Sequence, residues 1–159
     1  MRDSGIRSAH HEAWNPLGAA LIADFPNLPP RERNMARRIF LEPEARTVHP
    51  DWDEAARSTV GMLRMAVGRA PGDPRLLRLI GELTAGSSEF GRLWATRYVH
   101  EKSHGPKRFH HPVVGEIALR YETFHLAGLE TVLLVTYAPE PGSPAAAALE
   151  QLRKQARHE

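Results

Sequence analysis

The spacing of apolar residues changes once along this chain, and that change restricts the fold more than any other feature of the sequence. From Pro16 to about Trp94, apolar side chains recur at helical intervals in segments separated by proline, glycine and capping residues. From Glu116 to Tyr137 they alternate or are β-branched, which is typical of strands. Ser143-Pro144 then opens a last helix. This order predicts an α+β fold, with a small antiparallel sheet covered by a helical layer.

Caps and breaks set the expected bounds of the helices. Asn15-Pro16 opens the first helix, because asparagine caps well and proline suits the first turn. Gly86 is a natural stop, and leucines after Asp73-Pro74 form the core face of the helix that ends there. The expected helices run from Pro16 to before Asp24, from Pro30 to about Leu41, from Trp52 to Gly68, from Pro74 to Gly86, with Leu76, Leu77, Ile80 and Leu83 inside, and from Ser87 or Ser88 through Phe90 and Trp94.

Three strands are expected after these helices. The segment Glu116 to Glu122 alternates, as a half-buried strand does, and a strand through Lys107 to Phe109 precedes it. The run Thr131 to Tyr137 is β-branched and almost continuously apolar, so it predicts a central strand. The short stretch Leu126 to Glu130 makes the last two strands a hairpin.

Composition narrows the class of protein. The chain has 159 residues and no cysteine, which excludes disulfides, thiolate zinc sites and a cysteine nucleophile. Its net charge of +2 is too small for a polycation dedicated to nucleic acid. The sequence has neither a signal-peptide run nor an apolar stretch of about 20 residues, as a membrane span requires. We therefore expect a cytoplasmic protein that makes no membrane contact.

The most specific short pattern is His100-Glu101-Lys102-Ser103-His104, a match to HExxH, with His110 six residues further on. In zinc hydrolases this spacing puts two histidine ligands on one helix face, and the glutamate acts as general base. Here Gly105-Pro106 ends any helix directly after the motif, and Lys107 stands where the three-histidine form requires glycine. A zinc-dependent hydrolase using His100, His104 and His110 is therefore only the alternative hypothesis. We expect no metal and no cofactor.

Two basic segments each allow a binding and a structural interpretation. Arg31, Arg33, Arg37 and Arg38 would suit a phosphate backbone, but a solvated helix face is the more common explanation, since no helix-turn-helix pair surrounds them. In the segment Lys107 to His111, either Arg108 offers its guanidinium to a carboxylate or the charges protect an edge strand.

Several stretches, taken together and in order, resemble one known family. They are Ala13-Trp14-Asn15-Pro16-Leu17, Leu28-Pro29-Pro30-Arg31-Glu32-Arg33-Asn34, Phe40-Leu41-Glu42-Pro43, His49-Pro50-Asp51-Trp52, Gly72-Asp73-Pro74, Ser88-Glu89-Phe90, Lys107-Arg108-Phe109 and His111-Pro112-Val113-Val114-Gly115-Glu116. From about Gly5 to Leu152 they resemble the MmyB-like (MltR) ligand-binding domain of bacterial XRE-family helix-turn-helix transcription regulators.

The resemblance implies a PAS-like sensor domain over residues 13–156, preceded in residues 1–12 by a tail and a degraded first strand. Family members carry an N-terminal helix-turn-helix, which this sequence does not contain, so DNA is an expected partner only through such a domain. Members have been associated with fatty-acid-like ligands. The resemblance therefore implies a small amphipathic ligand with a long apolar tail.

We accordingly expect a ligand-sensing regulatory domain and not an enzyme. The ligand would enter between sheet and helices, its polar head would meet Arg108 or an imidazole, and binding would change the packing of the helical layer. A homodimer is compatible with this interpretation, and a dimerisation module without ligand is a weaker alternative that an exposed apolar sheet edge would favour. The expected ligand-binding residues are Trp14, Asn15, Phe40, Trp52, Trp94, Arg108, Phe109, His111 and Tyr121.

Overall fold

The fold is that of a computed structural model, which describes residues 13–96 and 102–156, with only the backbone described at residues 129–132. In these ranges the helices are α1 (Pro16–Ile22), α2 (Met35–Leu41), α3 (Ala45–Val48), α4 (Trp52–Arg69), α5 (Pro74–Gly86), α6 (Ser88–Ala95) and α7 (Pro144–Gln155). The strands are β1 (His104–His111), β2 (Gly115–Leu126) and β3 (Leu129–Ala138), and a short 3-10 helix covers Pro30–Arg33. The predicted α+β class is confirmed.

The described residues form two compact units. We call residues 29–46 and 52–96 the helical unit, and residues 13–28, 47–51 and 102–156 the sheet unit. The helical unit contains α2, α4, α5 and α6, and the sheet unit contains the three strands with α1 and α7.

Side-chain caps begin α2, α5 and α6 of the helical unit. The Asp73 carboxylate accepts hydrogen bonds from the N–H groups of Arg75 and Leu76, and the Ser87 hydroxyl accepts one from Phe90. Each bond satisfies an N–H that has no partner inside its helix. The caps at these two positions are confirmed. The helix expected from Pro30 is instead divided, because Asn34 ends the 3-10 turn and caps α2 through the N–H of Arg37.

Aromatic rings form the centre of the helical unit. Phe40 meets Trp52 edge to face at 5.8 Å and Phe90 at 5.0 Å between ring centroids. Phe90 stacks on Trp94 at 5.5 Å, and the indole N–H of Trp52 donates to the carbonyl of Ile39 at 2.8 Å. The rings therefore gain both apolar burial and specific contacts.

One leucine of α5 does not follow the prediction. Leu77 is 50% exposed, and Leu79, which is 7% exposed, lies in the core instead. At about 100° per residue, Leu79 falls on the same face as Leu76 and Leu83, whereas Leu77 is turned away from it. The helical period thus corrects an assignment made from residue type.

Three of the four arginines considered for a phosphate backbone, Arg31, Arg37 and Arg38, bind carboxylates of the helical unit. Arg31 and Arg37 both donate to Glu82, and Arg38 pairs with Glu42 at 3.3 Å. Burial raises the pKa of Glu82, but the hydrogen bonds from its two arginines outweigh that effect and the pKa is lowered. Arginines engaged in this way act as structural groups rather than as an open phosphate-binding surface.

The sheet is an antiparallel meander with the strand order β1-β2-β3. Phe109 faces Ile117 across the first pair, and Tyr121 faces Tyr137 across the second. Gly128, with a φ of 77°, forms the turn of the β2–β3 hairpin, a conformation that favours glycine. The strand expected through Lys107 to Phe109 and the expected hairpin are both confirmed.

One face of the sheet is covered by α1 and α7, and we call it the inner face. Its buried side chains are Phe109, Ile117 and Leu119, which pack with Leu21 of α1 and with Ala145, Leu149 and Leu152 of α7. The side chains of Asn15 and Ser143 begin these two helices by accepting hydrogen bonds from Gly18 and Ala146. Burial alternates along β2, as expected for a strand with one covered face.

The central position expected for β3 stays a prediction. In the described sheet β2 lies between β1 and β3, but residues 1–12, where a degraded first strand is expected, lie outside the described residues. Leu133, Leu134 and Val135 are all at least 36% exposed. An apolar run shows that both faces of a strand are apolar, but it carries no information on whether a neighbour pairs with each edge.

Candidate ligand-binding site

The inner face of the sheet presents a mixed apolar and polar group beyond the part that α1 and α7 cover. Opposed residues of an antiparallel pair share a face, and successive residues alternate between faces. The register therefore places Lys107, Phe109, Tyr121 and Tyr137 on the inner face. We call these four residues the inner-face group.

Phe109 joins the other members of this group. It is 2% exposed, and its ring meets that of Tyr137 edge to face with 5.5 Å between centroids. The Lys107 ammonium lies 5.8 Å from the centre of the same ring, within reach of a cation–π contact. A cation and a phenol thus flank one buried aromatic ring.

The two tyrosines give the group hydroxyls of different character. Desolvation raises the pKa of Tyr137 to about 12, and the nearby Tyr121 adds to the effect, so this hydroxyl stays protonated and able to donate at neutral pH. The Tyr121 hydroxyl donates to the carbonyl of Lys102 at 3.3 Å. Both rings are partly accessible to solvent.

A buried imidazole lies beside the group. His49, in the segment between α3 and α4, is 6% exposed, and its ring is 6.0 Å from that of Phe109. Buried imidazoles are uncommon without a polar role. Lys107, His49 and Tyr137 therefore surround Phe109 with three polar groups.

Arg108 lies on the opposite face of the sheet from the inner-face group. Its guanidinium makes two parallel hydrogen bonds to Asp51, at 2.8 and 2.6 Å, and a third at 3.3 Å to Glu116. Arg108 therefore does engage a carboxylate with a two-pronged contact, but the carboxylates belong to the protein. A ligand head group at Arg108 would have to displace Asp51.

His111 is held through both nitrogens of its ring. Nε2 lies 2.8 Å from the carbonyl of Ala20, and Nδ1 accepts from the N–H of Val113 at 3.1 Å. This pattern requires the proton on Nε2. The imidazole fastens α1 to the β1–β2 turn, a structural use of the side chain.

The other expected ligand residues are dispersed. Asn15 caps α1, and Trp14 packs on Phe25 with 5.0 Å between ring centroids, both in the sheet unit. Phe40, Trp52 and Trp94 belong to the aromatic cluster of the helical unit. Of the nine expected residues, the structure places Phe109 and Tyr121 in the inner-face group.

Comparison with family models matches residues 10–152 to the MmyB-like transcription regulator ligand binding domain. The chain belongs to this family. The resemblance found in the sequence is thus confirmed, and with it a ligand-sensing, regulatory role for the MmyB-like domain. Comparison with curated proteins gives no match.

The zinc alternative has no support in the described part of this MmyB-like domain. His100 and Glu101 lie outside the described residues, and His104 begins β1 instead of closing a helix. His104 and His110 are six residues apart on that strand, about 20 Å at some 3.3 Å per residue, so they cannot share one ion. No three histidine, aspartate or glutamate side chains of the described ranges come together as a metal site.

Sequence reasoning missed Lys107, Tyr137 and His49. The alternation of side chains along β1 could have identified Lys107. Residues two apart on a strand point to the same face, so Lys107 shares the face of the buried Phe109 and Arg108 points to the other. Tyr137 was recognised as a strand residue, but its partner across the sheet was needed to place it. His49 lies in an irregular segment, where no periodic pattern shows which way a side chain points.

The helices of the described ranges of this MmyB-like domain include none that is both long enough and apolar enough to cross a bilayer.

Proposed function

We propose that this MmyB-like domain senses a small amphipathic molecule, a fatty-acid-like carboxylate, on behalf of a bacterial XRE-family transcription regulator. The observation that carries the proposal is the family match over residues 10–152. We further propose that the domain is PAS-like in its ligand binding, has no catalytic activity of its own, and works in the cytoplasm. DNA would be bound through a helix-turn-helix domain that is not part of this sequence.

The position of Lys107 on β1 supports it as the partner of the ligand carboxylate. Its ammonium lies on the inner face, 5.8 Å from the centre of the Phe109 ring. The guanidinium of Arg108 lies on the other face and makes two hydrogen bonds to Asp51, a carboxylate whose pKa Lys107 also helps to lower. The protonated Tyr137 hydroxyl next to Phe109 is a second donor for the same head group. Hydrogen bonds to a charged group contribute about 1.5–3 kcal/mol each.

The apolar tail would lie along the inner face toward the hairpin. Val135 is opposed to Thr123 and Leu133 to His125, so both apolar side chains share the face of Tyr121 and Tyr137. Val135 is 42% and Leu133 is 36% exposed, so covering them with a hydrocarbon chain is favourable.

Regulation would act through the helices that share this face. α1 and α7 pack on Phe109, Ile117 and Leu119, so a ligand seated beside Phe109 bears on the same packing. A ligand shifts an equilibrium only by its different affinity for the two packings. An attached DNA-binding domain would respond to that shift.

Calorimetric titration with dodecanoate tests the assignment of the head group. Lys107→Gln removes the charge on the inner face and is expected to weaken binding about tenfold or more, since about 1.4 kcal/mol is a factor of ten. Arg108→Gln is the matched control on the other face, and we expect its affinity to stay within about twofold of the wild type.

Dodecanol separates charge recognition from binding of the tail. The alcohol lacks the carboxylate, so Lys107→Gln should leave its affinity almost unchanged. If Lys107→Gln and Arg108→Gln lost the same amount of dodecanoate affinity, or if Arg108→Gln lost more, the role of Lys107 would be refuted. Native mass spectrometry of the purified wild type tests the wider proposal, and a protein that neither retains nor takes up any long-chain carboxylate would contradict it.

A further inference from the structure

The burial of side chains changes along the inner face of the sheet. Phe109 and Ile117, which pack with α1 and α7, are 2% and 0% exposed. Leu133 and Val135 of β3 share this face and are 36% and 42% exposed. We call the part of the face around Phe109 the enclosed end, and the part around Leu133 the hairpin end.

The enclosed end carries a buried imidazole to which the proposed head-group contact gives no role. His49 is 6% exposed, its Nδ1 is shielded from solvent, and its ring lies 6.0 Å from that of Phe109. The Lys107 ammonium, at 5.8 Å, and the Tyr137 ring, at 5.5 Å, are neighbours of the same phenyl ring. His49 and the two expected head-group partners thus belong to one cluster within the sheet unit.

A carboxylate bound at the enclosed end needs more than one polar partner. Burial of an ionised group is costly unless the charge is paired and its oxygens accept hydrogen bonds. Lys107 supplies the opposite charge, and the Tyr137 hydroxyl supplies one hydrogen bond. A carboxylate accepts at about four positions, and an imidazole N–H is a further donor. The buried ring of His49 therefore suits the remaining acceptor positions.

We propose that His49 is the third contact of the ligand carboxylate, and that the enclosed end makes the site selective for the free acid over acids with a larger head group. This inference rests on the proposed function and adds a binding residue and a ligand class to it. Because His49 and Phe109 are both buried, a head group extended by further atoms would have to displace packed side chains.

The hairpin end should be tolerant, because the other end of the ligand reaches exposed residues there. Tyr121 is opposed to Tyr137 and His125 to Leu133, four positions further along β2, which is about 13 Å at some 3.3 Å per residue. An extended chain of twelve carbons is about 14 Å long for bonds of about 1.5 Å. The last carbon of dodecanoate would therefore lie near the exposed Leu133.

Two modified acids test this selectivity on the wild-type chain by calorimetric titration. N-dodecanoylglycine keeps the negative charge but lengthens the head group by an amide unit, and it should bind about tenfold or more weakly than dodecanoate. Dodecanedioate carries its second carboxylate at the hairpin end, where the charge stays in water. Its affinity should stay within about threefold of that of dodecanoate.

Variants of two histidines on the same face test the role of His49. His49→Phe keeps an aromatic ring but removes the donor, and it should weaken dodecanoate binding about tenfold. His49→Gln, which retains an N–H donor, should recover most of that loss. His125→Phe is the matched control, because His125 is an exposed imidazole at the hairpin end. Its dodecanoate affinity should stay within about twofold of the wild type.

Dodecanol separates a contact with the carboxylate from a structural role. The alcohol lacks the carboxylate, so the wild type and His49→Phe should bind it equally well. If His49→Phe lost as much affinity for dodecanol as for dodecanoate, the imidazole would be a structural group and the inference would fall. A larger loss of dodecanoate affinity in His125→Phe than in His49→Phe would also overturn it, since the head group would then lie at the hairpin end.

The comparison of ligands keeps the test decisive even if His49→Phe does not fold, which circular dichroism checks. A wild type that binds N-dodecanoylglycine as tightly as dodecanoate, or dodecanedioate more than tenfold weakly, would refute the selectivity while leaving the proposed function intact. A wild type that binds no dodecanoate at all would refute both, so the two failures are distinguishable.

Discussion

In the helical unit, Phe40, Trp52 and Phe90 meet ring to ring and are at most 8% exposed, whereas four large apolar side chains of the β2–β3 hairpin in the sheet unit are at least 36% exposed. Contacts within the helical unit bury these three aromatic side chains, so no ligand is needed to explain them. The sheet unit carries apolar surface that its two helices leave uncovered. Exposed apolar patches of this kind mark sites of binding, so the contrast directs the search for ligand and partner to the sheet unit.

The largest expected effect tests the interior of the helical unit. Phe90 is fully buried between Phe40 and Trp94, and Phe90→Ala should lower the free energy of unfolding by about 3–5 kcal/mol. Urea denaturation followed by tryptophan fluorescence measures this change, because Trp52 and Trp94 report on the helical unit.

Leu77→Ala is the control for this experiment, since Leu77 lies in the same unit but is 50% exposed. Its effect should stay within about 0.5 kcal/mol. Similar losses in the two variants would show that the aromatic cluster is not the centre of the unit, and the contrast with the sheet unit would fail.

Local signals predicted the elements well but not their neighbours. The caps at Asn15, Asp73 and Ser143 could be predicted from neighbouring residues, because a capping side chain reaches only two or three positions along the chain. Whether β3 has a neighbour on its outer side depends on the whole sheet. The sequence pattern showed an apolar strand, and the register shows that β2 is its neighbour in the described sheet.

The residues of the candidate site also fall into two groups: those that local alternation could predict and those that only the tertiary fold places. Alternation from the buried Phe109 was enough to separate Lys107 from Arg108, had it been applied to β1. His49 and Tyr137 reach Phe109 through the tertiary fold, from an irregular segment and from a strand two positions away in the sheet. Phe40, Trp52 and Trp94 were expected at a ligand because aromatic composition does not distinguish a pocket from a core.

A smaller effect on stability is expected at Asn15 in the sheet unit, where the experiment separates helix capping from ligand binding. Asn15 was expected to bind ligand, but its side chain accepts the N–H of Gly18 at 2.7 Å and begins α1. Asn15→Ala should therefore cost about 1 kcal/mol in the free energy of unfolding, and Asn15→Ser, which retains a capping oxygen, only a few tenths. Dodecanoate affinity should be the same in both variants. A loss of affinity in Asn15→Ala without loss of stability would return this residue to the binding site.

The smallest expected effect concerns the ion pair on the outer face of the sheet. The hydrogen bonds from Arg108 are the main reason why the pKa of Asp51 lies below its ordinary value, and desolvation opposes them only in part. Because the folded state lowers this pKa, the pair stabilises the protein above the ordinary pKa of aspartate, about 3.9, and loses its effect as the pH falls through the lower folded value.

Both side chains of the pair are more than 40% exposed, so solvent screens it. Asp51→Asn should lower the Tm at pH 7 by less than Asn15→Ala does, and the difference from the wild type should vanish once the pH falls below the lowered pKa of Asp51. Glu116→Gln, which removes only the negative charge at the 3.3 Å contact to the same guanidinium, should change the Tm still less. A Tm difference that persists undiminished in acid would mean that Asp51 acts through packing rather than charge. Arg108 would then be less firmly engaged than its geometry indicates, and it would again compete with Lys107 for the ligand carboxylate.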